Sequence, residues 1–242
     1  AFISIPIRNA AGGDWRWSLG VWTVFAAIAF VCWLPMLRYR HKTVAPAPIT
    51  QISLWKNVEA WWLALFFGAN LDVLDWHRRV AKVFIDHGIS EAEAATLLTV
   101  FNVFGIPAAF AAPLIYSKFR NKKLAMLVLH IPLIIAVPGF VFATTELPYL
   151  WALCLGLGQG SMISIALTLV GMRGADPQTS ARLSGMAQSV GYLFAAIGPV
   201  LFGALHDLLG DWQVALYFLF VVVAIQLVAS MRAGSPEKIG GN

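Results

Sequence analysis

Uncharged polar side chains interrupt long apolar runs at Asn102, at Gln159, Ser161 and Ser164, and at Gln188, Ser189 and Tyr192. An amide in hydrocarbon is costly unless it meets a partner or lines a wet cavity. Two chemistries fit such residues: hydrogen bonds between helices, worth about 0.6–2 kcal/mol each, or a solute-binding cavity at mid-depth. For Gln159 and Gln188 both readings stay open; Gln188 and Tyr192, four residues apart, share a helix face. The serines need neither, because a hydroxyl can bond to its own helix backbone.

Catalytic chemistry has little to work with. Asp and Glu fall in loops or in one broken segment, so no Ser/His/Asp or paired-carboxylate site converges at one depth, and no enzyme is expected. No Gly-rich phosphate loop with an adjacent Lys occurs. Gly156, Gly158 and Gly160 superficially resemble a nucleotide fingerprint, but small residues at this spacing in an apolar helix read as close helix packing. Cys32 and Cys154 stand alone, so neither a disulfide framework, a metal site nor a cofactor is indicated. His130, close to the start of its apolar run, reads as structural before it reads as a proton carrier.

These residues need membrane helices to hold them. Of the 242 residues, 59% are hydrophobic and only 12% charged, against about 25% charged in a soluble domain. Apolar stretches near 17–37, 92–116, 124–143, 149–172, 184–205 and 213–231 reach the roughly 20 residues a helix needs to cross a bilayer. Their continuity excludes an alternating β-barrel pattern. A further candidate, 58–84, opens with Trp61, Trp62, Leu63, Leu65, Phe66 and Phe67, then breaks into Asp72, Asp75, His77, Arg78, Arg79 and Lys82.

Loop charge decides whether it crosses. The net charge of +5 reads as cytoplasmic loop marking rather than nucleic-acid binding. Arg38, Arg40, His41, Lys42 and Lys56 precede the doubtful segment; Lys118, Arg120, Lys122 and Lys123 follow the next clear one. Both loops share the cytoplasmic side only if an even number of crossings separates them, so either 58–84 crosses or its clear neighbour fails to. The expected fold is an all-α integral membrane bundle of about seven transmembrane helices, with the N-terminus outside and the C-terminus cytoplasmic. Its expected parts are a lone helix within 1–37, a basic, Pro-containing cytoplasmic linker 38–57, a six-helix bundle 58–232 and a cytoplasmic tail 233–242. Gly105 with Pro107, Pro113, Pro132, Pro138, and Gly198 with Pro199 are expected to allow kinks. The opening residues lack a basic start followed by an apolar stretch, so no cleavable signal is expected there. The start at Ala1 rather than Met hints at a fragment or a processed product.

Four stretches together resemble the C-terminal half of a major facilitator superfamily transporter, in its cyanate permease and 2-nitroimidazole transporter branch. They are Gly13 to Trp17; Gly88 through Pro107; Gly156 to Leu169; and Ser184, Gly185, Met186, Ala187, Gln188, Ser189, Val190, Gly191 and Tyr192 through Gly198, Pro199, Gly203, His206, Asp207 and Trp212. The resemblance implies the sixth to twelfth helices of a twelve-helix transporter in a bacterial inner membrane. It also implies secondary transport of a small anion or weakly polar solute by alternating access, with a missing N-terminal half or second chain as partner. Gln159, Gln188, Tyr192 and Asn102 would face the central cavity, and Lys118, Arg120, Lys122 and Lys123 would form the cytoplasmic gating loop. The alternative is a non-transporting membrane fragment or interaction subunit.

The run 71–82 departs from that pattern, since each Arg, Lys or Asp near the bilayer centre opposes insertion by about 2.5–3.5 kcal/mol. Two readings stay open. One is a genuine charged segment in which Asp72 and Asp75 pair with Arg78 and Arg79 at helical spacing. The other is an out-of-frame patch, because codons available for Leu71-Asp72-Val73 and His77 to Ala81 read as apolar and aromatic residues one base later.

Overall fold

The computed structural model describes residues 12, 14–35, 53–209 and 212–240; the side chains of 15, 17, 18, 72–82, 199, 202, 203, 205–209 and 212–216 fall outside that description. The chain divides into two compact units, residues 1–50 and 51–242.

In the first unit, α1 (Trp15–Trp33) is opened by Asp14, whose carboxylate accepts from the N–H of Arg16. Its large side chains, among them Trp22, Phe25 and Phe30, are exposed. The helix ends before the predicted limit at 37, where Pro35 supplies no backbone donor to carry it further.

The second unit begins with a single 3-10 turn, Leu54–Lys56, and continues through α2 (Val58–Asp86), α3 (Glu91–Lys118), α4 (Lys122–Phe142), α5 (Pro148–Arg173), α6 (Pro177–Leu209) and α7 (Trp212–Ala233). Short polar residues set the boundaries. The side chain of Asn57 accepts from the N–H of Ala60, and Ser90 accepts from that of Glu93 with Glu91 and Glu93 in the first turn. Asn121 accepts from Lys123 and Leu124. Each satisfies N–H groups that a helix start leaves open. Asp176 does the same for α6, accepting from the N–H groups of Gln178 and Thr179 and from the Thr179 hydroxyl. Those bonds, the hydroxyl's first, hold its carboxyl below the usual carboxylate range. With Pro177 as first residue, α6 starts seven residues ahead of the apolar run predicted from Ser184, because hydropathy does not register a polar helical turn.

Helix α2 packs on α6 and α7, α3 packs on α5, and α4 packs on α5 and α7, with α2 also meeting α5. Phe66, Leu133, Phe140, Met162, Leu169 and Leu183 fill the core. Helix α2 is continuous through 71–82, and Val83 and Phe84 beyond it return to the core, Phe84 edge-on to Phe140 at 5.2 Å between centroids. The expected pairing of Asp72 and Asp75 with Arg78 and Arg79 lies outside the described side chains. Helices α3 and α4 run unbroken through Pro107, Pro113, Pro132 and Pro138.

By length and hydropathy, α3, α4 and α5 each suffice to cross a membrane. Shorter apolar stretches occupy 19–33, 58–71 and 217–233. Among the described residues there is no strand, and the architecture is a polytopic membrane helix bundle.

Candidate functional site

Close backbone approach builds the frame. A Cβ added at Gly156 would strike the carbonyl of Phe101, and one at Gly160 would strike that of Gly105, so α3 and α5 touch through bare backbone. Gly158 faces Leu133 of α4. The glycine cluster therefore packs helices, as its spacing suggested. A second close approach joins α2 to α6, where a Cβ on Gly68 would lie 3.0 Å from the carbonyl oxygen of Gly191.

Within this frame Gln159 is only 1% exposed and meets Asn70, 0% exposed, on α2. The Gln159 Nε2 donates to the Asn70 backbone oxygen at 2.6 Å and to its Oδ1 at 2.7 Å. Among the described residues, Asn70 Nδ2 and Gln159 Oε1 have no hydrogen-bond partner. One turn before Asn70, Phe67 meets Tyr192 of α6 edge-on, with centroids 5.9 Å apart. The stretch Phe67–Asn70 is thus a shared platform for Gln159 and Tyr192. Tyr192 itself is 56% exposed. Gln188, one turn earlier and half-buried, donates to the Ser184 hydroxyl at 2.7 Å. Asn102 is exposed on α3 and donates to the Leu98 carbonyl of its own helix at 2.7 Å. Ser161 bonds the Leu157 carbonyl of its own helix, as expected of a hydroxyl.

The four basic residues around the α3–α4 turn divide into two roles. Lys122 Nζ donates to the carbonyls of Tyr116 and Ser117 at 2.9 and 3.3 Å and lies over the Tyr116 ring, so it caps the end of α3. Lys118, Arg120 and Lys123 are exposed. His130 is buried, its Nδ1 2.8 Å from the Met126 carbonyl.

Two features escaped the sequence reading. Asn70 is an amide directly before a run of charges, which drew attention from it. Arg173, a cation at the end of an apolar run, is buried and pairs with Glu59 at 2.9 Å. Glu59 lies in the first turn of α2, and an acid there was the available signal.

The Asn70–Gln159 contact can be tested by a double-mutant cycle. Gln159→Leu is expected to cost about 1 kcal/mol by losing a buried interhelical bond. The double variant Asn70→Leu/Gln159→Leu is expected to be more stable than the sum of the single changes predicts, because it removes both partners together. Reversible unfolding in mixed micelles measures the cycle, and strict additivity would rule out the coupling.

Comparison with protein families matches residues 80–240 to the Major Facilitator Superfamily. The chain is 29% identical to an uncharacterized transporter, YycB, of Bacillus subtilis (strain 168), over 98% of this chain and 60% of that protein. It is 28% identical to the 2-nitroimidazole transporter of Escherichia coli (strain K12), over 94% of this chain and 58% of that one. It is 24% identical to the cyanate transport protein CynX of the same organism, over 90% and 57%. The chain spans less than two thirds of the length of these relatives.

Proposed function

From the premise that this chain, a multi-pass membrane protein, belongs to the Major Facilitator Superfamily, we propose that it is the C-terminal part of a secondary transporter for a small anion or weakly polar solute. The family and its named relatives are transporters rather than enzymes. The proposed activity is alternating access against an N-terminal half carrying the missing helices. The relatives named for 2-nitroimidazole and for cyanate support a small solute. Loop charge supports an outside N-terminus, the linker 38–57 and the tail 233–242 on the cytoplasmic side, and the six-helix unit 58–232 between them.

The observation that carries the reading is the exposure of Tyr192 in mid-span, one turn from Gln188. A polar tip costs free energy against hydrocarbon, so this face of α6 suits a wet cavity closed by the other half. Gln188, Tyr192 and Asn102 are the proposed lining. Gln159, enclosed with Asn70 in this arrangement, joins them when α2 and α5 part. Lys118, Arg120 and Lys123 would gate the cytoplasmic end, with Lys122 holding their turn.

Uptake of labelled cyanate and 2-nitroimidazole into proteoliposomes tests this. The chain alone should give none; the chain joined to the preceding helices of its full-length gene should take up at least one. Tyr192→Ala should then reduce uptake about tenfold, equal to ~1.4 kcal/mol of lost solute interaction. Uptake of neither solute by the completed protein would favour a non-transporting fragment or interaction subunit.

A further inference from the structure

Helix α5 ends without a cap of its own. Gly174 continues extended at φ −66° and ψ 140°, not in the left-handed turn that commonly closes a helix. The last carbonyls of a helix need partners from elsewhere. The Gly171 carbonyl accepts from the Ser180 hydroxyl of α6 at 3.1 Å, and those of Met172 and Arg173 find their donors in the segment following α7. Lys238 Nζ donates to the Met172 carbonyl at 2.5 Å, and the Ile239 N–H donates to the Arg173 carbonyl at 2.6 Å. In return the Ala175 N–H donates to the Ile239 carbonyl at 3.0 Å, completing a parallel bridge between Gly174 and Ile239.

Other contacts bind the same segment to neighbouring helices. Arg173 Nη1 donates to the Ser235 carbonyl at 2.8 Å, and the Tyr116 hydroxyl of α3 donates to that of Gly234 at 3.2 Å. Ile239 is buried at 2% exposure among apolar core residues. Gly240, directly after the bridge, takes φ +92°, a left-handed conformation that favours glycine.

We infer that residues 234–240 form a strap that caps α5 from outside and ties its end to α3 and α7. Most of its bonds use backbone groups, and one apolar side chain anchors it. Its hold is short and local, which makes it a releasable element. While seated, it makes the ends of α3, α5 and α7 move together; once displaced, the last turn of α5 is free to fray.

Hydrogen exchange read by mass spectrometry on the chain in nanodiscs tests it. Two variants release the strap: deletion of residues 235–242, and Ile239→Asp, which keeps the chain length and puts a charge in the apolar seat. Both should raise exchange about tenfold in the stretch 171–176, where the Ala175 N–H loses its acceptor, while leaving α4 at 126–141 unchanged. Unaltered protection at 171–176 in the folded Ile239→Asp protein would overturn the strap. So would an equal rise in α4, which would mark general loosening instead of local release.

Discussion

Replacing Arg173 with Met is expected to destabilise the helical bundle by about 3 kcal/mol, whereas Glu59→Gln should cost only about 1 kcal/mol. The two residues form one ion pair at 2.9 Å, but their surroundings differ: the Arg173 side chain is 4% exposed and that of Glu59 33%. The guanidinium also donates to the carbonyls of Ala233 and Ser235 at 2.5 and 2.8 Å. The first belongs to the last residue of α7 and the second lies just beyond it, where the helix dipole leaves partial negative charge. Met restores volume but none of the three bonds. Gln at position 59 retains an acceptor for Nη2, and water screens what it loses. Unfolding in micelles at low and high salt separates the terms: the Glu59→Gln effect should shrink with salt and the Arg173→Met effect should persist. Equal costs for both variants would assign the stability to the ion pair alone.

The sequence made the helices legible because hydrocarbon imposes a crude requirement, an apolar run of sufficient length. Loop charge extended this to α2, whose polar middle would otherwise argue against a helix; Val58–Asp86 is continuous. Boundaries depend on finer signals. The start of α6 lies in polar turns set by Asp176 and Pro177, and a window averaging hydropathy cannot register a cap.

The candidate site was legible as residue types and not as partners. Gln159 stands out as an amide in an apolar helix, but its partner Asn70 is 89 positions away, a separation no local pattern encodes. The four cavity candidates accordingly divide by environment: Gln159 is enclosed, Gln188 half-buried, and Tyr192 and Asn102 exposed. Lys122 teaches the same point in reverse. Its charge belongs to a basic cluster by sequence, yet its ammonium is spent on the carbonyls that end α3.

Two glycine substitutions in one helix should change stability in opposite directions. Gly171→Ala in α5 meets open space among the described residues, none of which comes within 4 Å of the new methyl group outside its own helix backbone and chain neighbours. It should stabilise the bundle by up to about 1 kcal/mol, since Ala restricts the unfolded backbone and favours helix. Gly160→Ala makes the same covalent change three turns earlier, where the methyl would strike the Gly105 backbone of α3. Backbone cannot rotate aside as a side chain can, so the helices must separate, at a cost of about 1–3 kcal/mol. That separation also weakens the adjoining contact of Gly156 with Phe101, because both glycines serve one interface. Without a hydrophobic drive between helices in lipid, close approach is a main source of their association. Thermal unfolding in detergent should rank Gly171→Ala at or above wild type and Gly160→Ala well below it. If both variants shifted in the same direction, helix propensity would dominate α5 and the bare-backbone contact with α3 would not be what holds the pair.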